Sequence, residues 1–127
     1  MMLKFKAWDK DKKVMSIIDE IDFNSGYILI STGYKSFNEV KLLQYTGFKD
    51  VHGVEIFEGD IVKVNVLEGI GPNASIVFKY GMFGVENDMH GYGYDKGLYS
   101  LNRIINRHEV EVIGNIFENP ELLEEIE

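Results

Sequence analysis

The chain of 127 residues contains no cysteine. That excludes disulfide frameworks, thiolate zinc sites and cysteine nucleophiles together, and nothing calls for an oxidising compartment. No apolar run approaches the roughly 20 residues that a bilayer-crossing helix needs. The first residues interleave lysines with Phe5, Ala7 and Trp8 and continue into Asp9. A secretory signal would place an unbroken apolar core and a cleavage site there. Basic residues are missing from the C-terminal end: no Lys or Arg follows Arg107, whereas seven glutamates do. The expectation is a soluble protein of a reducing cytoplasm, with no membrane partner and no cofactor.

What is present fits one domain, which at this length buries enough apolar surface to fold without metal or disulfide. The formal net charge is −8, and it is unevenly placed. Lys4, Lys6, Lys10, Lys12 and Lys13 crowd the first thirteen residues, while Glu118, Glu121, Glu124, Glu125 and Glu127 supply most of the negative excess. An acidic surface must overcome repulsion before it meets a phosphate backbone, so the charge disfavours nucleic acid. Only the N-terminal lysines offer a basic patch, and alternating surface charge is ordinary on a solvated hairpin. The two ends are electrostatically complementary. Their approach, within one chain or between subunits, would cover the one surface suited to phosphate.

Strand signals dominate. Leu3, Phe5 and Ala7 alternate with Lys4, Lys6 and Trp8, the period of two that sets one side on a core and places Trp8 on the lysine side. Residues 9–13 read as a polar turn. Residues 14–18 and 21–23 give a second strand region, and Asn24, Ser25 and Gly26 punctuate the chain before 27–30 resumes as a hairpin partner. Residues 33–38 read as a loop, and 39–45 as a short strand or a single helical turn, with the strand or an extended lead favoured. Thr46 and Gly47 are expected to break the chain, and 50–53 to turn it. Glu58, Gly59 and Asp60 form a tight turn, because glycine accepts positive φ and Asp60 can bond a neighbouring amide. The strand 61–66 follows, then a glycine-containing loop over 67–73, a strand over 74–80, a short connection at Gly81 and a strand over 82–86. After a loop over 87–97, residues 98–101 are extended and 109–113 close the strands. Asn119, Pro120 and Glu121 stand in the order of an N-cap, a first helical position and an acidic first turn, predicting a short helix with Leu122, Leu123 and Ile126.

Three stretches carry a family resemblance: KFKAWDKDKKVM over 4–15, LLQYTGFKDVHGVEIFEGDIVKV over 42–64, and EVIGNIFENPELL over 111–123. Together they resemble the YopX family of bacteriophage and prophage proteins. The resemblance implies a phage-encoded, β-rich domain in a bacterial host cell, with no established activity. It also implies the barrel: a mainly β chain with an SH3-like barrel over 45–116, an N-terminal β-hairpin region over 1–44, and a short C-terminal helix with an acidic tail over 117–127. Phe57, Ile61, Val64, Val77, Phe83, Val112 and Ile116 are the expected core.

Catalytic patterns are thin. His52, His90 and His108 lie in turns or loops without the spacing of a metal-binding helix. Asp88, His90 and Asp95 could gather round a divalent ion, although ligands usually come from more rigid elements. Ser75 and Ser100 have no nucleophile elbow around them. The loop holding His90, Tyr92 and Tyr94 is the better candidate for a partner: tyrosines offer rigid area and a hydroxyl, and Gly91, Gly93 and Gly97 let the backbone adapt. The same rings could instead fold back and cap the barrel. The first reading is thus a non-catalytic interaction or assembly module with a protein partner or a second copy. A nucleic-acid-binding SH3-like module and a small metal-dependent enzyme are the alternatives. Gly47, Gly59 and Asp60 are read as structural turn residues.

Overall fold

A computed structural model describes residues 3–65, 72–87 and 97–123. The chain is mainly β with one α-helix among the described residues, and it forms two compact units, Met1–Tyr45 and Thr46–Glu127. No described helix is long and apolar enough to cross a membrane.

The first unit holds β1 (Phe5–Asp9), β2 (Val14–Ile17), β3 (Glu20–Asp22), β4 (Tyr27–Ile30) and β5 (Gly33–Ser36). A 3-10 turn at Phe37–Glu39 then leads into β6 (Val40–Lys49), whose first residues belong to this unit. β1 pairs antiparallel with both β2 and β6, setting Ala7 opposite Ser16 and Leu42. β3, β4 and β5 form a separate antiparallel meander. Ala7, Ile28, Ile30 and Val40 make the core, with Ile18, Ile21, Phe37 and Leu42 packed on it. Full burial of a side chain such as Ile28, Ile30 or Val40 contributes about 1.5–3 kcal/mol. The expected second strand region divides into β2 and β3, which join different sheets. Residues 33–36, expected as loop, are β5, because Gly33 at φ 112 opens a tight hairpin and sets Tyr34 opposite Leu29. Trp8 is buried rather than lying on a wet lysine face.

Asp9 ends β1 and is fully buried. Its Oδ1 accepts the Asp11 and Lys12 amides, both at 3.0 Å, and its Oδ2 accepts the Thr32 hydroxyl at 2.7 Å. The Lys35 ammonium stands 3.6 Å from Oδ2. A buried carboxylate is tolerated only when its lone pairs are met in this way. The Lys12 amide and the Thr32 hydroxyl, aided by the Asp11 amide and Lys35, outweigh burial and lower its pKa to about 2.

The second unit continues β6 and adds β7 (Glu55–Phe57), β8 (Asp60–Asn65), β9 (Asn73–Lys79), β10 (Met82–Asn87) and β11 (Gly97–Ser100). Helix α1 (Leu101–Arg107), β12 (Glu109–Asn115) and a 3-10 turn at Pro120–Leu123 complete it. β11, β10, β9, β8 and β12 lie side by side in that order as an antiparallel half-barrel sheet. Its core joins Ile56, Val62, Val64, Ala74, Ile76 and Val85 to Leu101 and Ile104 of α1 and Val110 of β12. α1 was missed in the sequence although Leu101, Ile104 and Ile105 keep helical spacing: seven residues between two strands make a weak periodic signal.

Of the expected core, Phe57, Ile61 and Val64 are buried, Phe83 and Val112 pack half-buried on the core, and Val77 is half-buried. Ile116 is not core: it stands 38 % exposed in the turn after β12. Gly47 does not break β6, which runs on to Lys49 with Gly47 at φ 88 inside it. Asn119 does not cap a helix through its side chain. Its Oδ1 accepts the Asn115 amide at 3.3 Å and packs against Gly114, where a Cβ would come within 2.6 Å of it. Ile126 lies outside the described residues.

Tyr80 and Gly81 form the two-residue turn between β9 and β10, at φ 54 and 76. Two positive φ values in succession belong to a type I′ turn, which fits the strand twist but is costly for a bulky residue. Gly59 has φ 87, its amide donates to the Ile76 carbonyl at 2.8 Å, and its carbonyl accepts the Ile116 amide at 2.9 Å. Asp60 Oδ2 accepts the Phe57 amide at 2.8 Å, closing the expected Glu-Gly-Asp turn. Gly59→Val should therefore lower stability by roughly 1–3 kcal/mol, the strain of a forced left-handed bulky residue. An unchanged thermal midpoint would contradict this.

Asp9 yields a pH prediction. Its folded pKa of about 2 lies below the ordinary 3.8, so its stabilisation is complete above the ordinary value and is lost as pH falls towards the folded one. The loss is on the order of 1–2 kcal/mol. Urea midpoints followed by Trp8 fluorescence should fall from about pH 5 to about pH 2, and fall less in Asp9→Asn, which starts lower. Equal slopes in the two proteins would assign the acid sensitivity to other carboxylates.

Candidate functional site

Alternation along β4 sends Ile28 and Ile30 into the core and turns Tyr27 and Leu29 to the opposite face. The register continues that face onto both neighbours. Glu20 and Tyr34 flank Leu29 in one row, and Asp22 and Ser36 flank Tyr27 in the next. Phe23, just after β3, meets Phe37 edge to face with ring centroids 5.9 Å apart. Phe23 is 65 % exposed, Tyr27 53 % and Tyr34 70 %. Together with Ile21, Leu29 and the carboxylates of Glu20 and Asp22 they line one open hollow. A cluster of exposed aromatic rings is the composition that partner-binding surfaces favour.

Asp22 is ionised there. The Ser25 hydroxyl and amide, against a smaller effect of desolvation and aided by the Asn24 amide, lower its pKa. Its Oδ1 accepts the Asn24 and Ser25 amides at 3.0 and 3.2 Å. Glu20 is exposed at the other end of the row.

The sequence did not single out this face. In YILI both sides of the strand are apolar, so alternation gives no orientation, and residues 33–38 read as loop hid the Tyr34 row. The usable signal was Tyr27 opposite Asp22 across one short turn, and Tyr34 opposite Leu29 across the next. The proposed loop residues His90, Tyr92 and Tyr94, and the possible ligands Asp88 and Asp95, lie outside the described residues. Gly59 and Asp60 form the turn expected of them, whereas Gly47 lies inside β6 and makes none.

Other sites carry less chemistry. His52 Nε2 is 3.5 Å from Glu111 Oε1 at the surface, and the His108 amide closes α1 by donating to the Ile104 carbonyl. Among the described residues no group of three or more histidines and carboxylates is placed to hold a metal ion. Asp50 is buried, and its carboxylate is fully engaged: Oδ1 accepts the His52 and Val54 amides at 2.8 and 2.9 Å, and Oδ2 the Val112 amide at 2.9 Å. Burial pushes its pKa up, but these amides together with His52 outweigh that and leave it lowered.

Comparison with solved structures finds the same fold. Protein EF1440 from Enterococcus faecalis is 29 % identical, with a TM-score of 0.70 over 98 % of this chain and 99 % of that one. Protein yopX from Bacillus subtilis is 18 % identical, with a TM-score of 0.64 over 98 % of each chain. A search of curated proteins found no match. The YopX protein family matches residues 4–124, nearly the whole sequence, and the chain belongs to that family.

Proposed function

We propose that this YopX-family chain is a non-catalytic protein-interaction module, phage- or prophage-encoded and acting in the bacterial cytoplasm, that binds a protein through the outer face of β3, β4 and β5. The exposed cluster of Phe23, Tyr27 and Tyr34 carries this reading. Tyrosine and phenylalanine bury large area with little loss of side-chain freedom, which makes them efficient anchors. The buried carboxylates Asp9, Asp50 and Asp60 support it from the other side, since their oxygens hold turn amides in place. A group committed in this way is poorly placed for proton transfer.

The half-barrel sheet supports a finer reading as an SH3-like barrel. A meander of four strands, a short helix and a last strand returning beside the first is the strand order such a barrel requires. In that reading the second unit is the scaffold, and the aromatic face belongs to the N-terminal strand region.

A photoreactive benzoylphenylalanine placed at Tyr34 should yield a discrete cross-linked protein in the host, whereas one at exposed Asn102 on α1 should not. Identical adducts from both positions, or none from Tyr34, would contradict the assignment. An adduct removed by nuclease would instead favour nucleic acid.

A further inference from the structure

The hollow against β3, β4 and β5 combines two kinds of group suited to a cation. Aromatic rings present negative π faces, and two carboxylates, Glu20 and Asp22, stand at the ends of the same cross-strand rows. No lysine or arginine lines it among the described residues. Lys35 on β5 shares the Ile21 and Ile28 row, but its ammonium is drawn to Asp9 at 3.6 Å and Glu39 at 4.0 Å. Among the described residues neither Glu20 nor Asp22 is paired with a lysine or arginine, although Asp22 also accepts the Asn24 and Ser25 amides. Elsewhere in this unit the same chemistry is satisfied internally: the Lys4 ammonium lies 5.5 Å from the centroid of the Tyr45 ring.

We infer that this hollow receives a lysine- or arginine-bearing segment of a protein partner, its cations resting on Tyr27 and Tyr34 and paired with Glu20 and Asp22. The inference rests on the reading of this face as the interaction surface and adds the chemistry of what it binds. An ammonium or guanidinium over a tyrosine ring is attracted by the ring quadrupole, and an adjacent carboxylate supplies a charge-assisted hydrogen bond. Leu29, between Glu20 and Tyr34, gives the aliphatic stem of a lysine or arginine an apolar bed.

The full chain, labelled with nitrogen-15, should be titrated with a short peptide alternating lysine and alanine, and separately with its glutamate counterpart. The lysine peptide is expected to shift amides within residues 20–36 and to weaken as salt rises. Tyr34→Ala should reduce its affinity roughly threefold or more. Glu20→Lys, at an exposed position that leaves the core untouched, should abolish the shifts. Shifts scattered over the acidic surface, shifts that survive both substitutions, or equal shifts with the glutamate peptide would overturn cationic recognition. The two readings separate cleanly. A protein cross-linked at Tyr34 with no response to the lysine peptide leaves the docking face standing and removes the cation. Failure of both experiments removes both.

Discussion

A buried carboxylate that collects backbone amides is the interaction on which the described structure leans most. Asp50 shows it fully: one oxygen closes the turn after β6 through His52 and Val54, and the other holds the Val112 amide of β12. The neighbouring Val51 amide donates to the Val110 carbonyl at 2.9 Å, so turn and strand are joined from both sides. The β12 register shifts between Val112 and Gly114, where the ladder to β8 is irregular. The carboxylate thus supplies an acceptor where the regular strand ladder falters. A hydrogen bond to a charged acceptor contributes about 1.5–3 kcal/mol, and an amide left unmet in the interior costs a similar amount. Asp9 and Asp60 repeat the device at the end of β1 and the start of β8.

These aspartates explain which parts of the fold could be read in advance. Glu-Gly-Asp around Gly59 was legible because both of its signals are local: a residue that accepts positive φ and an acid three positions from the amide it bonds. Asp9 was legible only as a polar turn. Its burial depends on Thr32 and Lys35, more than twenty residues away, and no local pattern announces partners at that distance. Alternation alone put Trp8 on the lysine side, since it assumes one wet face, whereas the packing role that the family's opening motif suggests agrees with its burial.

The errors within strands have a similar origin. Gly47 looked like a breaker, but a single glycine at positive φ can sit inside β6 while pairing continues on either side. Ile116 looked like core because it is aliphatic and follows a strand, yet the chain turns there and Asn115 receives the Phe117 and Glu118 amides. The aromatic face was hidden by tertiary register: Tyr27, Tyr34 and Glu20 become neighbours only once β3, β4 and β5 pair. Acids that hold turns and acids that line the aromatic hollow look alike in sequence, and Asp22 is both: it lines the hollow while its Oδ1 accepts the Asn24 and Ser25 amides.

The most direct measurement is urea unfolding of Asp50→Asn beside Glu111→Gln, both within the second unit. Asparagine keeps the shape but turns a donor toward amides that need an acceptor, so a loss of about 2 kcal/mol or more is predicted. Glu111→Gln removes only an exposed contact with His52 and should cost under about 1 kcal/mol. A small and equal loss in the two variants would contradict the structural role given to the buried carboxylates.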